Sequence, residues 1–267
     1  MTTETQAGAT TAPAGAGPLL ELSGVSKHFG PVQALTDVSF TVGSGEVVAL
    51  VGDNGAGKST LIKTVSGVGP ADTGTFKFDG TEVSITGPAD SARLGIAVVY
   101  QDLALCDNLD VVQNLFLGRE QAAHVPLAPL DEIKMEKRSM ELLEWMKVKT
   151  LRSVRAEVGA LSGGQRQSIA IARSLLGEPR LVILDEPTAA LGVSQTEQVL
   201  ELVGNLKERG LGVVLISHNL NDVFQVADRI VVLHLGRNAG EFEADPKNRN
   251  AVVAAITGIS DEGEVAA

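Results

Sequence analysis

The sequence predicts an α/β fold carrying a helical insertion, and three observations lead there. Short apolar runs of strand length recur at Val47–Val51, Gly95–Tyr100, Leu181–Leu184, Leu211–Ser217 and Arg229–Leu233. Runs without polar alternation mark strands covered on both faces, as in a parallel sheet. Helical segments such as Gln195–Arg209 separate the later runs, which is the alternation of a sheet layered with helices. The interval from Asp102 to about Leu176 reads as helical and divides the strands into two groups.

In chain order, residues 1–17 are rich in Ala, Thr and Gly without apolar periodicity, and read as a disordered tail. Residues 18–258 form the folded unit. In its first part, Leu20–Ser26, Asp37–Val42 and Thr75–Asp79 are β-like pieces flanking Val47–Val51. Further on, Asp131 is placed to cap a helix with Ile133, Met140, Leu143 and Met146 on one side and Trp145 packing beside them. Residues 259–267 form an acidic tail. No internal repeat is seen.

The stretch after Val51 carries the strongest chemical signal. Gly52-Asp53-Asn54-Gly55-Ala56-Gly57-Lys58-Ser59 fits the phosphate-loop pattern of Gly, four residues, Gly-Lys-Ser, and Thr60 follows it. A strand precedes the loop, and Leu61, Ile62 and Val65 repeat behind it at helical spacing. Glycines let backbone N–H groups curl around a phosphate, and the helix behind adds unpaired N–H groups and the positive end of its dipole. Lys58 would bridge the β- and γ-phosphates of a nucleotide triphosphate, and the Ser59 hydroxyl would ligate Mg²⁺.

Composition narrows the classes. The length of 267 residues permits one or two domains and a substantial core, and the apolar content of 44 % is ordinary for a soluble protein. No stretch approaches the ~18 apolar residues of a membrane span, and the N-terminus lacks the pattern of a signal peptide. The single Cys106 forms no internal disulfide, in keeping with a reducing cytoplasm. The net charge of −11 speaks against nucleic acid as a partner. It does not speak against ATP, because remote charges are screened over about 8 Å while loop amides and Lys58 act in contact.

Two further motifs follow: Leu161-Ser162-Gly163-Gly164-Gln165, and Leu181-Val182-Ile183-Leu184-Asp185-Glu186-Pro187-Thr188, then Ser217-His218. With the phosphate loop, this ordered set resembles the ATP-binding cassette (ABC) ATPases over about residues 19–258. The resemblance implies a RecA-like phosphate-loop core, an antiparallel β subdomain, and a helical subdomain of about residues 102–176 inserted between the Gln101 loop and the Asp185 strand. It implies ATP and Mg²⁺ as ligands. Asp185 would hold Mg²⁺ through its water shell, Glu186 would activate the attacking water, and His218 would contact the γ-phosphate. Gln101 would reach Mg²⁺ or the water and link the site to the insertion. Phe29 matches the aromatic that stacks on adenine, the alternative being an ordinary core Phe. His28, His124 and His234 match no motif.

In this family the Leu161–Gln165 turn completes the site on a second copy, so a head-to-tail pair would enclose ATP at its interface. One position departs: where the family usually has Ser-Ala-Leu-Asp after Thr188, this chain has Ala189-Ala190-Leu191-Gly192. The missing carboxylate puts tight coupling between the two sites in doubt.

Tyr100–Leu105 with Asn114–Glu120, and Ile216–Leu220 with Val223-Phe224 and Ala227-Asp228-Arg229, resemble the ATPases of monosaccharide importers of the fructose, ribose and xylose type. That resemblance implies an integral-membrane permease as partner, an extracytoplasmic sugar-binding protein acting through it, and a peripheral place at the cytoplasmic face of the membrane. An exporter cassette or a non-sugar importer is the alternative. A GTPase would need an Asn-Lys-x-Asp guanine reader, and a chromosome-maintenance ATPase long heptad coils; neither is present.

Overall fold

The computed structural model describes residues 17–121 and 130–258. The tails expected at 1–17 and 259–267 lie outside it except for Gly17, as does His124. In chain order come β1 (Leu20–Phe29), β2 (Val32–Val42), β3 (Val47–Val51), α1 (Lys58–Val65), β4 (Thr73–Phe78), β5 (Thr81–Val83), α2 (Pro88–Arg93) and β6 (Ile96–Val99). Then follow α3 (Val111–Phe116), α4 (Glu132–Trp145), α5 (Gly163–Leu175), β7 (Leu181–Asp185), α6 (Val193–Glu208) and β8 (Gly212–Ile216). The last elements are α7 (Leu220–Val226), β9 (Arg229–His234), β10 (Arg237–Glu243) and α8 (Arg249–Thr257).

The strands form two sheets. A four-stranded antiparallel sheet has the order β2-β1-β4-β5, and a six-stranded sheet the order β10-β9-β3-β8-β7-β6. Within the second, β9, β3, β8, β7 and β6 run parallel and β10 closes the edge antiparallel. The apolar runs are the parallel strands, and β3 and β8 are buried at every residue.

Alternation along each strand divides the interior. Val182, Leu184, Val213 and Leu215 face a core shared with α3, α4, α5 and α6. Leu181, Ile183, Val214 and Ile216 face the opposite core, shared with α1 and the antiparallel sheet. A period of two sends neighbouring side chains to opposite faces, so one apolar strand serves two layers.

The helix capped by Asp131 forms, with the carboxylate accepting the Lys134 N–H, but its buried face differs from the expected stripe. Met135, Leu142, Leu143 and Met146 are buried, whereas Ile133 is 83 % exposed and Met140 half exposed. Met135 and Leu142, two helical turns apart, set the inward face; Ile133 lies on the far side in the first turn, where no neighbour reaches it. Trp145 packs partly against this core, and the Arg209 guanidinium lies 4.2 Å from its ring centre. The interval Asp102–Leu176 is less helical than its apolar content suggests, since 102–110 and 146–157 are loop and turn.

Candidate nucleotide site

The phosphate loop leaves β3 between two glycines that no other residue could replace unstrained. At Gly52 the backbone is left-handed (φ 152°), and a β-carbon would stand 2.3 Å from the Leu233 carbonyl oxygen. At Gly57 (φ 102°) it would stand 2.9 Å from both the Ala34 carbonyl oxygen and Leu35. The loop is therefore pressed against β2 and β9, and within it the Ala56 N–H donates to the Asp53 carbonyl at 3.1 Å. Lys58 begins α1, and its Nζ donates to the carbonyls of Gly52 (2.7 Å) and Asp53 (3.0 Å). The Asp53 carboxylate accepts the Asn54 N–H at 2.7 Å.

Asn54–Thr60 line a cavity of about 330 Å³ together with Gln101, Asp185, Glu186, and Val32, Gln33 and Ala34 of β2. The three residues expected to meet a metal, Ser59, Gln101 and Asp185, thus share one cavity wall. Hydroxyl, amide and carboxylate oxygens form a hard donor set suited to Mg²⁺ with water and phosphate completing its shell. The glycine cradle and this donor set both fit a magnesium-bound nucleotide.

Asp185 is the last residue of β7, and burial pushes its carboxyl above the ordinary range; the neighbouring Glu186 charge adds to this and Lys58 opposes it. Glu186 has a left-handed backbone (φ 50°), uncommon for a residue with a β-carbon, and its N–H donates to the Ile216 carbonyl at 3.0 Å. The ring Nδ1 of His218 stands 2.7 Å from Glu186 Oε2, and the His218 N–H donates to the same oxygen at 3.4 Å. Glu186 is mostly covered while the His218 side chain is exposed.

Phe29 ends β1 and the residue is 51 % exposed, so it is not an ordinary core Phe. Its strand partner is Val32, on the rim of the Lys58 cavity. None of Leu161–Gln165 lines that cavity. Ser162 instead caps α5: its Oγ accepts the Gln165 N–H, and Gln165 Oε1 accepts the Ser162 N–H at 2.9 Å. α5 starts at Gly163, because the cap takes both glycines into its first turn. Those glycines admit the segment after β7: a β-carbon on Gly163 would stand 2.8 Å from Leu191, and one on Gly164 3.0 Å from Gln195. Gly192 is the N-cap of α6 with no side chain to cap it and open space around it.

Two contributions were not visible in the sequence. Asp222, 6 % exposed, accepts from Thr188 Oγ1 at 2.7 Å and from Asn219 Nδ2 at 2.8 Å. It ties the segment after Glu186 to the segment after His218. Asn114, fully buried, accepts the Cys106 N–H and donates to the carbonyls of Cys106, Leu109 and Asp110, bracing the loop beyond Gln101. An isolated Asp or Asn in a polar stretch carries no such signal; the pairing exists only after folding. Of the unmatched histidines, His28 contacts Asp72 and His234 Nδ1 meets the Ile256 carbonyl.

Beside Gln101, a second cleft of about 340 Å³ is lined by Tyr100, Asp102, Leu103, Arg119 and Arg173 among others. The Arg173 guanidinium donates to the carbonyls of Leu103 and Ala104, and burial lowers its pKa.

The family model described as ABC transporter matches residues 35–189, over half of the chain. The chain belongs to the ABC-transporter ATPases. It is 46 % identical to the "Xylose/arabinose import ATP-binding protein XylG" of Sulfolobus acidocaldarius, over 82 % of this chain and 86 % of that one. It is 40 % identical to the "Fructose import ATP-binding protein FrcA" of Rhizobium meliloti, over 91 % and 95 %. Among solved structures, a nucleotide-free ATP-binding cassette from an ABC transporter superposes with a TM-score of 0.78 at 27 % identity, covering 89 % of this ABC ATPase and 98 % of that chain. The dimeric post-hydrolysis cassette MJ0796 with ADP and Pi gives 0.68 at 27 %, covering 85 % and 99 %. No helix among the described residues is long and apolar enough to cross a membrane.

Proposed function

We propose that this ABC ATPase powers uptake of a monosaccharide through a membrane permease, by closing on ATP as a head-to-tail pair and opening on hydrolysis. The observation that carries the ATPase half is one cavity bringing together Lys58, Ser59, Gln101, Asp185 and Glu186 from three separate stretches of the chain. The sugar half is supported by near full-length similarity to relatives whose names give xylose, arabinose and fructose import.

ATP phosphates lie against the amides of Asn54–Thr60, with Lys58 turning from its carbonyl partners to the β- and γ-oxygens and Phe29 stacking on adenine. Ser59, Asp185 and Gln101 would hold Mg²⁺, which would supply positive charge against the phosphoryl oxygens. Glu186 orients the attacking water and takes its proton, a contribution of roughly 10²–10⁴-fold. His218, released from Glu186, contacts the γ-phosphate. Since Leu161–Gln165 stand outside the Lys58 cavity, this turn is presented to the ATP of a second copy, its N-terminal helix amides facing phosphate. The dimeric MJ0796 cassette is a precedent for pairing. The cleft beside Gln101 receives the permease, which in turn meets an extracytoplasmic sugar-binding protein, leaving the ATPase peripheral at the cytoplasmic face.

The test is reconstitution in vesicles with a monosaccharide permease and its sugar-binding protein. ATP turnover stimulated by binding protein loaded with a pentose or hexose, with sugar accumulating in the vesicle, is expected. Turnover indifferent to sugar but stimulated by an amphiphilic drug or lipid would replace import by export.

A further inference from the structure

Phe29 does not stand alone at the tip of the β1–β2 hairpin. The Lys27 ammonium lies 5.7 Å from the centre of the Phe29 ring, two residues back on the same strand. It is held there by Asp72, whose Oδ1 it meets at 2.8 Å, and its side chain is largely covered. The second carboxylate oxygen accepts the His28 N–H at 2.6 Å and faces His28 Nδ1 at 3.2 Å. Asp72 is anchored in turn, since its own N–H donates to the Ser26 carbonyl at 2.9 Å. The register of β1 shifts on either side of Lys27, so ladder hydrogen bonds alone do not fix this end of the strand.

We propose that Lys27 and Asp72 form a clamp that sets the Phe29 ring as the platform for the purine base, making both residues determinants of nucleotide affinity. The proposal rests on Phe29 being the base-stacking residue. A cation against one face of a ring is attracted by its π density and draws that density toward itself. The opposite face then suits an electron-rich purine better, and the ring is ordered before the base arrives. The Lys27 and His28 donors hold the Asp72 carboxyl down at about 2, so the carboxylate is ionised throughout the working pH range. The part played is positioning: neither residue needs to touch the nucleotide.

Calorimetric titration with Mg-ADP and with Mg-pyrophosphate, which shares the phosphates and lacks the base, separates the possibilities. Lys27→Met is expected to weaken Mg-ADP about three- to fivefold, the size of an exposed cation–π contact, and to leave Mg-pyrophosphate unchanged. Asp72→Asn should act in the same direction and Lys27→Arg should retain wild-type affinity. Equal weakening of both ligands by Lys27→Met would assign the lysine to the phosphates and overturn the clamp. So would unchanged Mg-ADP affinity in that variant while Phe29→Ala weakens it about tenfold, the scale of one stacked base. Should Phe29→Ala itself leave Mg-ADP untouched, the stacking role falls first and the clamp with it.

Discussion

Replacing Lys58 by Ala measures how much the phosphate loop owes to its one cation. A charge-assisted hydrogen bond contributes about 1.5–3 kcal/mol, equivalent to roughly a 13- to 160-fold change in dissociation constant. The structure argues for the lower end. Nζ already donates to the Gly52 and Asp53 carbonyls at 2.7 and 3.0 Å, so contact with phosphate exchanges hydrogen bonds instead of adding them. The Lys58 charge also favours the ionised form of Asp185, so its loss penalises the magnesium complex a little further. Mg-ADP should bind Lys58→Ala about 10- to 30-fold more weakly by calorimetry, with thermal stability nearly unchanged. Affinity within threefold of wild type would remove Lys58 from the phosphate contacts. Complete loss of measurable binding would mean that its carbonyl bonds hold the loop open, and would refute the exchange of hydrogen bonds with phosphate.

Glu186→Gln keeps the shape of the side chain and loses the base; turnover of the assembled transporter should fall by roughly 10²–10⁴-fold while ATP stays bound and the pair stays closed, as read by size-exclusion chromatography with ATP. Normal steady-state hydrolysis would exclude Glu186 as base. Asp185 has a raised pKa through burial first: its stability contribution is full below the unfolded value and is lost as pH rises through the folded one, so the ionised carboxylate costs stability at neutral pH. Asp185→Asn should therefore raise the melting temperature at pH 7 and lose that advantage near pH 4 and below, whereas a pH-independent difference would contradict the burial argument. Asp222→Ala leaves Thr188 Oγ1 and Asn219 Nδ2 without their acceptor, a destabilisation of about 1–3 kcal/mol, and a double-mutant cycle with Thr188→Val should show coupling in chemical denaturation; strict additivity would show that the carboxylate does not join the two loops. Gly192→Asp adds a side-chain cap to α6 in open space, a gain of a few tenths of a kcal/mol. It should also tighten cooperativity of ATP hydrolysis between the two sites, and an unchanged Hill coefficient would deny Gly192 any role in coupling.

The parallel strands were legible because burial on both faces demands residues apolar at every position, and β3, β7, β8 and β9 meet that demand within a residue or two of the expected bounds. The phosphate-loop glycines were legible for a related reason: a β-carbon at Gly52 or Gly57 collides with backbone, leaving a fixed spacing in the sequence. The face of α4 was not. Ile133 and Met140 are as apolar as Met135 and Leu142, and only the position of α3 and α5 decides which pair is buried. Strand β10 reads RNAGEFE, an edge with one covered side and no apolar run, so periodicity passed it by. Asp222 and Asn114 were invisible for a third reason, that a buried polar residue is defined by partners drawn from other stretches of chain.

The site itself is a matter of register more than of proximity in sequence. In the six-stranded sheet, Ile216 of β8 pairs with Leu50 on one side and with Asp185 on the other. Parallel strands aligned in this way end level, so the loop after Val51, the pair Asp185-Glu186 and the segment reaching His218 emerge side by side at one edge. Next along, Val99 of β6 pairs with Leu184, which brings Gln101 to the same edge. A slip of one residue in β7 would turn Leu181 and Ile183 into the core now holding Val182 and Leu184, and would carry Asp185 about 3.3 Å along the strand axis. A hydrogen bond tolerates a change of only about 0.5 Å, so a shift of that size would take Glu186 out of register with His218, now 2.7 Å away. The alternation of Leu181–Leu184 between two cores is therefore what places the carboxylates, and the geometry of the candidate site inherits its accuracy from apolar packing on both faces of the sheet.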